Sequence, residues 1–320
     1  MSTMKKTKTS LNIKLISKYF LSVFFAVLFS NYLRNNSIYF MPREYKTIKK
    51  IVNKIALKNN LGDKEILFSI GSGAYMEYEA EKLGLCKKDD CYYFKNLNPY
   101  KKHKDFKQVN LNELSKQSYL YNSIEAYAWS GVVWLSKSTF KTYGDKTNYL
   151  GCIIGHELSH IIYNDHLEQS IKLSEKIKEL KNSKDKENSQ LYNKKEVNNE
   201  EVNNEEVNNE EVKKDLFEKL LSRESEIKAD QNGAKMIINA GYSKDTCMNS
   251  LIFLTEKNYL DAHTGLKSTH PGHLERYESL KKFIETYKKE KEMKTFKPYK
   301  WSWRYNRNLN ILIFSPKNKY

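Results

Sequence analysis

The stretch IIGHELSHII, residues 153–162, constrains the fold of this chain more than any other part of its 320 residues. Its apolar residues recur at helical spacing, which predicts a helix that begins near Thr147 or Asn148. So broad an apolar stripe is typical of a helix buried on most of its circumference. Buried polar side chains are costly unless they have partners, so the polar residues of this helix need an explanation. The stripe comprises Leu150, Ile154, Leu158, Ile161 and Ile162.

Two histidines and a glutamate are the polar residues in question. His156 and His160 lie four positions apart and share one helical face, where both imidazoles can bind one ion. Glu157 projects about 100° away, within reach of a water molecule at that ion. This HExxH spacing predicts a zinc site with two nitrogen ligands and a carboxylate general base. The alternative is an ordinary helix with two surface histidines, which the flanking isoleucines disfavour.

A catalytic zinc site needs a third protein ligand and an open position. The downstream stretch SRESEIKAD offers Glu224, Glu226 and Asp230. Glu226 and Asp230 share one helical face, so one can bind zinc while the other accepts a hydrogen bond from a ligand imidazole. His166 does not fit the HxxGxxH spacing of a third histidine ligand after His156, and no role is assigned to it.

Four motifs follow one another along the chain: EAYAWSGVVWLS, GHELSH, SRESEIKAD and STHPGHLER. Together they resemble peptidase family M48, the membrane-associated zinc peptidases that include the CAAX-prenyl endopeptidases, HtpX and the Oma-type protease. EAYAWSGVVWLS is similar to the strand before the metal helix, although Glu125 stands where asparagine is common and only Gly131 of a glycine pair remains. GHELSH resembles the metal motif. SRESEIKAD resembles the second motif, in which the glutamate three residues before Ala-Asp binds the metal. STHPGHLER resembles the late Ser-Thr-His-Pro element, with Arg276 following, and the resemblance covers about Lys46 to Glu285.

The resemblance implies a zincin-like gluzincin fold of the α+β class, mostly helical with a small β-sheet. It also implies one zinc ion per chain as cofactor. The residues it assigns are His156, His160 and Glu226 as metal ligands, Glu157 as the catalytic general base, and Asp230 as the hydrogen-bond partner of a ligand histidine.

Two further features bear on how a substrate would bind. His270, in the STHP element, could donate to the oxyanion of the transition state or close the open zinc position. Alternatively, it only fixes the loop before Pro271 at the start of a helix. The strand Val132 to Leu135 is expected to offer an edge along which an extended substrate can pair.

The rest of the chain is predicted to form one zinc peptidase domain, residues 43–295, with helices around the central one. A strand is expected at Ile66 to Ile70, a loop-like region at 84–120, and a bent strand or strand pair at Glu125 to Ser136. Residues 296–320 are expected to be a tail with one strand. Further helices are predicted within residues 43–57, 167–192, 215–242, 243–258 and 268–289.

A five-residue repeat, EVNNE, interrupts this domain. Five residues advance a helix by about 500°, so the valines at every fifth position cannot form an apolar stripe. Residues 193–213 are therefore predicted to be a solvated, mobile insertion.

Residues 1–35 are predicted to be a signal anchor or a signal peptide. Five lysines precede the uncharged run from Tyr19 to Leu33, the order typical of both. No cleavage site with paired small residues follows, which favours an uncleaved anchor. The positive-inside rule then predicts a catalytic domain outside the cytoplasm, in a bacterial envelope or periplasm. A mitochondrial inner-membrane protein or a secreted protein is the alternative.

Charge and cysteine content limit the partners. The net charge of +16 and the pI of 9.3 would suit nucleic acid or an anionic membrane. The lysines, however, are spread among glutamate and asparagine, and no nucleic-acid module is visible, so no nucleic-acid partner is predicted. Cys86 and Cys91 could pair if the domain is exported, whereas Cys152 and Cys247 are expected to be small core residues.

The sequence thus predicts a zinc-dependent endopeptidase that acts on membrane-associated or misfolded proteins and binds a membrane through its N-terminal segment. The alternative is a catalytically inactive, chaperone-like or substrate-binding module on the same fold, which the intact Glu157 disfavours. A basic binder of membranes or nucleic acid is a second rival. The oligomeric state is not predicted.

Overall fold

The computed structural model describes residues 17–30, 40–88, 90–121, 123–192, 205–257, 263–265, 268–287 and 300–317. The described helices are α1 (residues 17–30), α2 (Arg43–Ala56), α3 (Ala74–Lys82), α4 (Tyr92–Lys95), α5 (Leu111–Leu120), α6 (Lys137–Tyr143), α7 (Thr147–Ile162), α8 (Asp165–Tyr192), α9 (Glu205–Asn239), α10 (Thr246–Glu256) and α11 (His273–Thr286). The described strands are β1 (Ile66–Gly71), β2 (Ala126–Trp129), β3 (Val132–Ser136), β4 (Lys300–Asn306) and β5 (Ile311–Lys317). The fold is α+β and mostly helical, with one small sheet, which confirms the predicted class.

The strands form a single mixed sheet in the order β2-β3-β1-β5-β4. β1 pairs parallel with β3 and antiparallel with β5, while β2–β3 and β4–β5 are antiparallel hairpins. Ser130 and Gly131, at φ 44° and 84°, form the tight turn between β2 and β3. The EAYAWSGVVWLS stretch is therefore a strand pair, one of the two predicted alternatives.

Helix α7 is the central helix of the core. Leu150, Ile154 and Leu158 are each at most 2% exposed, as the apolar stripe predicted. The helix packs against α2, α9 and α10 and under β2 and β3. It begins at Thr147, with Lys146 at the N-cap and no side-chain cap, so neither predicted residue caps it.

The C-terminal segment completes the sheet. The sequence predicted one strand in a tail outside the domain, but residues 300–317 form two strands, and β5 pairs directly with β1. The indole nitrogens of Trp301 and Trp303 both donate to the side-chain oxygen of Asn53 at 2.8 Å, which joins β4 to α2. The KWSWRYN stretch alternates aromatic and polar residues, the period that is typical of a strand.

The region 84–120, predicted to be loop-like, contains α4 and α5. Asn110 caps α5 by accepting hydrogen bonds from the backbone nitrogens of Asn112 and Glu113. Leu111 and Leu114 pack in a small apolar cluster beside the main core. A ten-residue helix carries too few apolar positions for its period to be evident in the sequence.

All four cysteines form disulfides. Cys86 pairs with Cys91, as the sequence allowed. Cys152 and Cys247 are buried core residues, as expected, and they also pair with each other, which was not predicted. Their bond joins α7 to α10, 95 residues later in the chain. Two apolar helical contexts do not reveal that their helices lie side by side, and the pairing was therefore missed.

Two predicted segments fall partly outside the described residues. Residues 193–204 of the repeat insertion lie outside them, while 205–212 begin α9, with Val212 54% exposed. At the N-terminus, residues 1–16 and 31–35 lie outside, and α1 exposes large apolar side chains such as Phe20. Among the helices that the structure describes, none combines the length and apolar character needed to cross a bilayer.

Candidate metal centre

Helices α7 and α9 cross in close contact at two glycines. A Cβ on Gly155 would lie 3.1 Å from the carbonyl oxygen of Gly233, and a Cβ on Gly233 would lie 2.8 Å from the backbone nitrogen of His156. Only glycine lets the two backbones approach this closely. The crossing therefore brings the first histidine of α7 next to the acidic face of α9.

Three side chains converge at this crossing. His156 Nε2 lies 3.2 Å from one carboxylate oxygen of Glu226, and His160 Nε2 lies 3.5 Å from the other. The two Nε2 atoms are 3.1 Å apart. One ligand atom from each residue lies within 4.8 Å of the others, so a single ion could contact all three. Glu224, the other candidate acid, is exposed.

Each histidine is oriented by its own carboxylate. His156 Nδ1 lies 2.9 Å from Asp230 Oδ1, and His160 Nδ1 lies 2.7 Å from Asp165 Oδ2. A carboxylate that accepts from Nδ1 fixes the tautomer in which Nε2 can bind a metal. Two imidazole nitrogens and one carboxylate, supported in this way, form a donor set suited to zinc.

Asp165 was not predicted from the sequence. It stands at the start of α8, three residues after the end of α7, and its side chain is 5% exposed. The only sequence signal is a single acidic residue five positions after His160, at the start of a new helix. Such a residue is common at helix starts for capping reasons alone, so the signal was weak.

Arg276 holds the other carboxylate. Its Nε donates to Asp230 Oδ2 at 2.7 Å and its Nη2 to Oδ1 at 2.6 Å, a bidentate pair buried between α9 and α11. Bidentate pairs of arginine and carboxylate combine charge with fixed geometry. The sequence resemblance pointed to this arginine without giving it a partner.

The site shifts the pKa values of its members. Burial alone would lower the pKa of His156, but Asp230 and Glu226 outweigh it and raise that pKa to about 10. Burial opposes the shift at His160 too, where Asp165 and Glu226 raise the pKa to about 9. Burial alone would raise the pKa of Asp230, but Arg276 outweighs it and lowers that pKa to about 2.

Glu157 differs from these residues because burial has the largest effect on its pKa and sets the direction of the shift. It is 6% exposed, and burial raises the pKa of its carboxyl against the opposing effect of the two histidines. It lines a cleft of about 350 Å³ together with His156 and Glu226. A carboxyl with a raised pKa beside a ligand cluster is suited to accept and release a proton.

His270 lies at the mouth of this cleft. Its Nε2 is 3.8 Å from Glu226 Oε1, and its side chain is 63% exposed. Its Nδ1 lies 3.0 Å from the hydroxyl of Thr269. The ring therefore approaches the ligand cluster from the solvent side, near enough to contact a substrate there.

The strand beside the cleft is not the one predicted. Val132 to Leu135 belongs to β3, which lies between β2 and β1 and has no free edge. The free edge belongs to β2, and Ala126 of that strand lines the cleft. The sequence showed two adjacent strands but not which of them bordered the rest of the sheet.

Glu125, which replaces a common asparagine, faces away from the cleft. Its carboxylate accepts hydrogen bonds from the backbone nitrogen of Ala74, at 2.9 and 3.0 Å, and from the hydroxyl of Ser123 at 2.9 Å. It also lies 3.5 Å from Lys95 Nζ. The substitution therefore supports the start of α3 and adds no charge to the cleft.

Comparison with known proteins agrees with this geometry. The sequence model described as Peptidase family M48 matches residues 103–284, more than half of the chain, and this range includes every site residue described above. Searches of curated proteins and of solved structures gave no match. The chain therefore belongs to peptidase family M48, a family of metallopeptidases.

Proposed function

We propose that this chain is a zinc-dependent endopeptidase whose metal ligands are His156, His160 and Glu226. The observation that carries the proposal is the convergence of these three ligand atoms within 4.8 Å at the wall of a cleft that Glu157 also lines. When bound there, zinc would supply Lewis acidity toward a peptide carbonyl and make a water molecule more acidic.

Glu157 is the proposed general base and acid. Its carboxylate accepts a proton from the attacking water and then delivers that proton to the nitrogen of the departing amine. Burial raises the pKa of this carboxyl, which makes its carboxylate a better proton acceptor in the first transfer. Hydrolysis by this route needs no covalent bond between enzyme and substrate.

The surrounding residues position the ligands. Asp230 and Asp165 accept from the Nδ1 atoms of His156 and His160, which keeps both Nε2 atoms directed into the site. For His270 we keep the two proposed roles, donation to the oxyanion or closure of the open metal position. Its approach to Glu226 from solvent is compatible with either role.

We further propose that the enzyme acts outside the cytoplasm, at a membrane, on membrane-associated or misfolded proteins. Two disulfides support an oxidising compartment, because such bonds rarely persist in the cytosol. The exposed phenylalanines of α1, among them Phe20 and Phe24, support attachment of the N-terminal segment to lipid. In this proposal, residues 1–35 are the membrane segment and residues from 43 onward form the peptidase domain.

Metal content and turnover of casein test the enzyme proposal. Wild-type protein is expected to hold one zinc ion per chain by elemental analysis and to cleave casein. Glu157→Gln is expected to keep the zinc and to lose at least about a hundredfold in kcat, the typical contribution of a general base. His103→Ala, a histidine outside the cleft, is the control and should behave as wild type.

The outcomes separate the rival functions. Unchanged turnover in Glu157→Gln would contradict the mechanism. Zinc binding without any cleavage by the wild type would favour the inactive, chaperone-like alternative. Fractionation of tagged protein, with N-terminal sequencing of the mature form, tests the membrane and compartment proposals separately.

A further inference from the structure

The edge strand β2 presents a defined set of free backbone groups. Residues facing each other in an antiparallel pair alternate between hydrogen-bonded and non-hydrogen-bonded. The backbone nitrogen of Ser136 donates to the carbonyl of Glu125, which makes this a hydrogen-bonded pair. By alternation, the backbone N–H and C=O groups of Tyr127 and Trp129 also point toward β3. Ala126 and Ala128 therefore direct their N–H and C=O groups away from the sheet, toward the cleft side.

One of these free groups is already occupied. His166 Nε2 lies 2.7 Å from the carbonyl oxygen of Ala128 and must donate to it, because a carbonyl only accepts. The His166 ring also packs on Trp129, with ring centroids 4.9 Å apart. The first turn of α8 is thus attached to the outer edge of β2.

The Ala128 end of β2, which His166 occupies, lies beside the candidate metal ligands. The His166 ring centroid is 6.3 Å from that of His160. The cleft is lined by Ile124 and Ala126, whereas Ala128 is not among its lining residues. Ala126 is therefore the one residue of β2 whose outward N–H and C=O groups lie in the cleft.

We propose that His166 closes the substrate edge at Ala128 and thereby limits how far toward its N-terminus a bound peptide pairs with β2. This inference rests on the proposed endopeptidase function. In antiparallel pairing, one substrate residue forms both hydrogen bonds with Ala126, and the residue two positions nearer the substrate's N-terminus would meet Ala128. His166 blocks that second pairing, so it is a residue that determines specificity without contacting the reacting atoms.

A scan of N-methylated peptides tests this inference. The substrate is a casein peptide that the full-length, zinc-loaded protein cleaves, with its cleavage site identified by mass spectrometry. Each peptide in the series carries one backbone N-methyl group, at a successive residue along the peptide. An N-methyl group removes the N–H donor, so kcat/KM should fall about fivefold or more wherever that donor pairs with β2.

Wild-type protein is expected to show one sensitive position that pairs with β2, the residue opposite Ala126. His166→Ala frees the Ala128 carbonyl and is expected to add a second sensitive position, two residues nearer the N-terminus. His103→Ala is the matched control, because His103 Nε2 also donates to a backbone carbonyl, that of Asn98 at 2.8 Å, outside the cleft. It should keep the wild-type pattern.

Two N-methyl-sensitive positions, two residues apart, in the wild type would overturn the inference. A single sensitive position in folded His166→Ala would also overturn it. Should circular dichroism show that His166→Ala is unfolded, the wild-type scan alone decides between one and two positions. If the protein cleaves the peptide but the number of N-methyl-sensitive positions differs from the expected one, only this inference is contradicted. A zinc-loaded protein that cleaves no peptide contradicts the proposed function and this inference together.

Discussion

Arg276 is linked to His156 through a single carboxylate, that of Asp230. The guanidinium donates to both oxygens of Asp230, and one of those oxygens lies 2.9 Å from His156 Nδ1. His160 has its own carboxylate partner, Asp165, supplied by a different helix. The two candidate zinc ligands are thus held by different arrangements, and replacing the two aspartates should have different consequences.

Asp230→Asn is expected to lower both zinc affinity and fold stability. Loss of a carboxylate behind a ligand histidine typically costs 10- to 100-fold in metal affinity. It also removes the charge partner of a buried arginine, which should cost on the order of 3 kcal/mol in the metal-free protein. Asp165→Asn should lower zinc affinity similarly but cost only about 1 to 2 kcal/mol. Zinc titration and urea unfolding of both metal-free variants measure this, and equal stability losses would count against the role of Arg276.

Gly233→Ala should separate α7 from α9. The added Cβ would lie 2.8 Å from the backbone nitrogen of His156, a backbone contact that no side-chain rotation relieves. We expect a loss of about 1 to 3 kcal/mol in stability and weaker zinc binding, because the ligands move apart.

Gly151→Ala is the matched control for this substitution. Its nearest neighbour is the terminal carbon of Ile237 at 3.3 Å, which can shift. Alanine is also favoured over glycine inside a helix by about 1 kcal/mol, so this variant should be near neutral or stabilising. Thermal unfolding and zinc titration compare the two, and equal effects would contradict the close crossing.

The disulfide between Cys152 and Cys247 is expected to stabilise the fold more than the one between Cys86 and Cys91. The two bonds span 95 and 5 residues of chain. Loop-closure entropy predicts a contribution of about 4 to 5 kcal/mol for the longer loop and about 2 kcal/mol for the shorter one. Urea unfolding of Cys152→Ala/Cys247→Ala and of Cys86→Ala/Cys91→Ala measures the difference. The reverse order would be inconsistent with this pairing.

Zinc affinity should rise with pH. In the metal-free fold, Asp230 and Glu226 raise the pKa of His156 to about 10, and Asp165 and Glu226 raise that of His160 to about 9, so the pair holds at least one extra proton at neutral pH. Zinc must displace these protons, and its affinity therefore increases up to about pH 9 to 10. Titration calorimetry in buffers of different ionisation enthalpy should detect release of one to two protons at pH 7. Affinity that does not change between pH 6 and 8.5 would contradict this coupling.

The unfolding stability of the metal-free protein should depend on pH in the opposite direction to zinc affinity. Because the histidine pKa values are raised, their stabilising effect is complete below about pH 6.5, the unfolded value, and is lost as pH rises through about 9 to 10. The pKa of Asp230 is lowered to about 2, so its contribution is present above about pH 4 and is lost as the solution is acidified toward pH 2. Urea unfolding of metal-free protein should therefore give its highest stability between about pH 4 and 6.5. A maximum near pH 9 would contradict the histidine shifts.

The sequence by itself determined the local features of this protein. The apolar stripe around IIGHELSHII predicted a buried central helix, and its spacing placed His156 and His160 on one helical face. The order of the motifs was enough to predict the family. These properties follow from helical periodicity and residue chemistry, which act over a few positions and are therefore present in the sequence.

Only the tertiary structure decided which distant residues meet. The Gly155–Gly233 crossing brings Glu226 to the histidines and leaves Glu224 in solvent. The same packing pairs Cys152 with Cys247 and inserts β5 beside β1. It also gives the free edge of the sheet to β2 instead of β3, and attaches His166 to that edge. Such contacts join residues that are far apart in the chain, and they depend on how whole helices and strands pack, which no local pattern encodes.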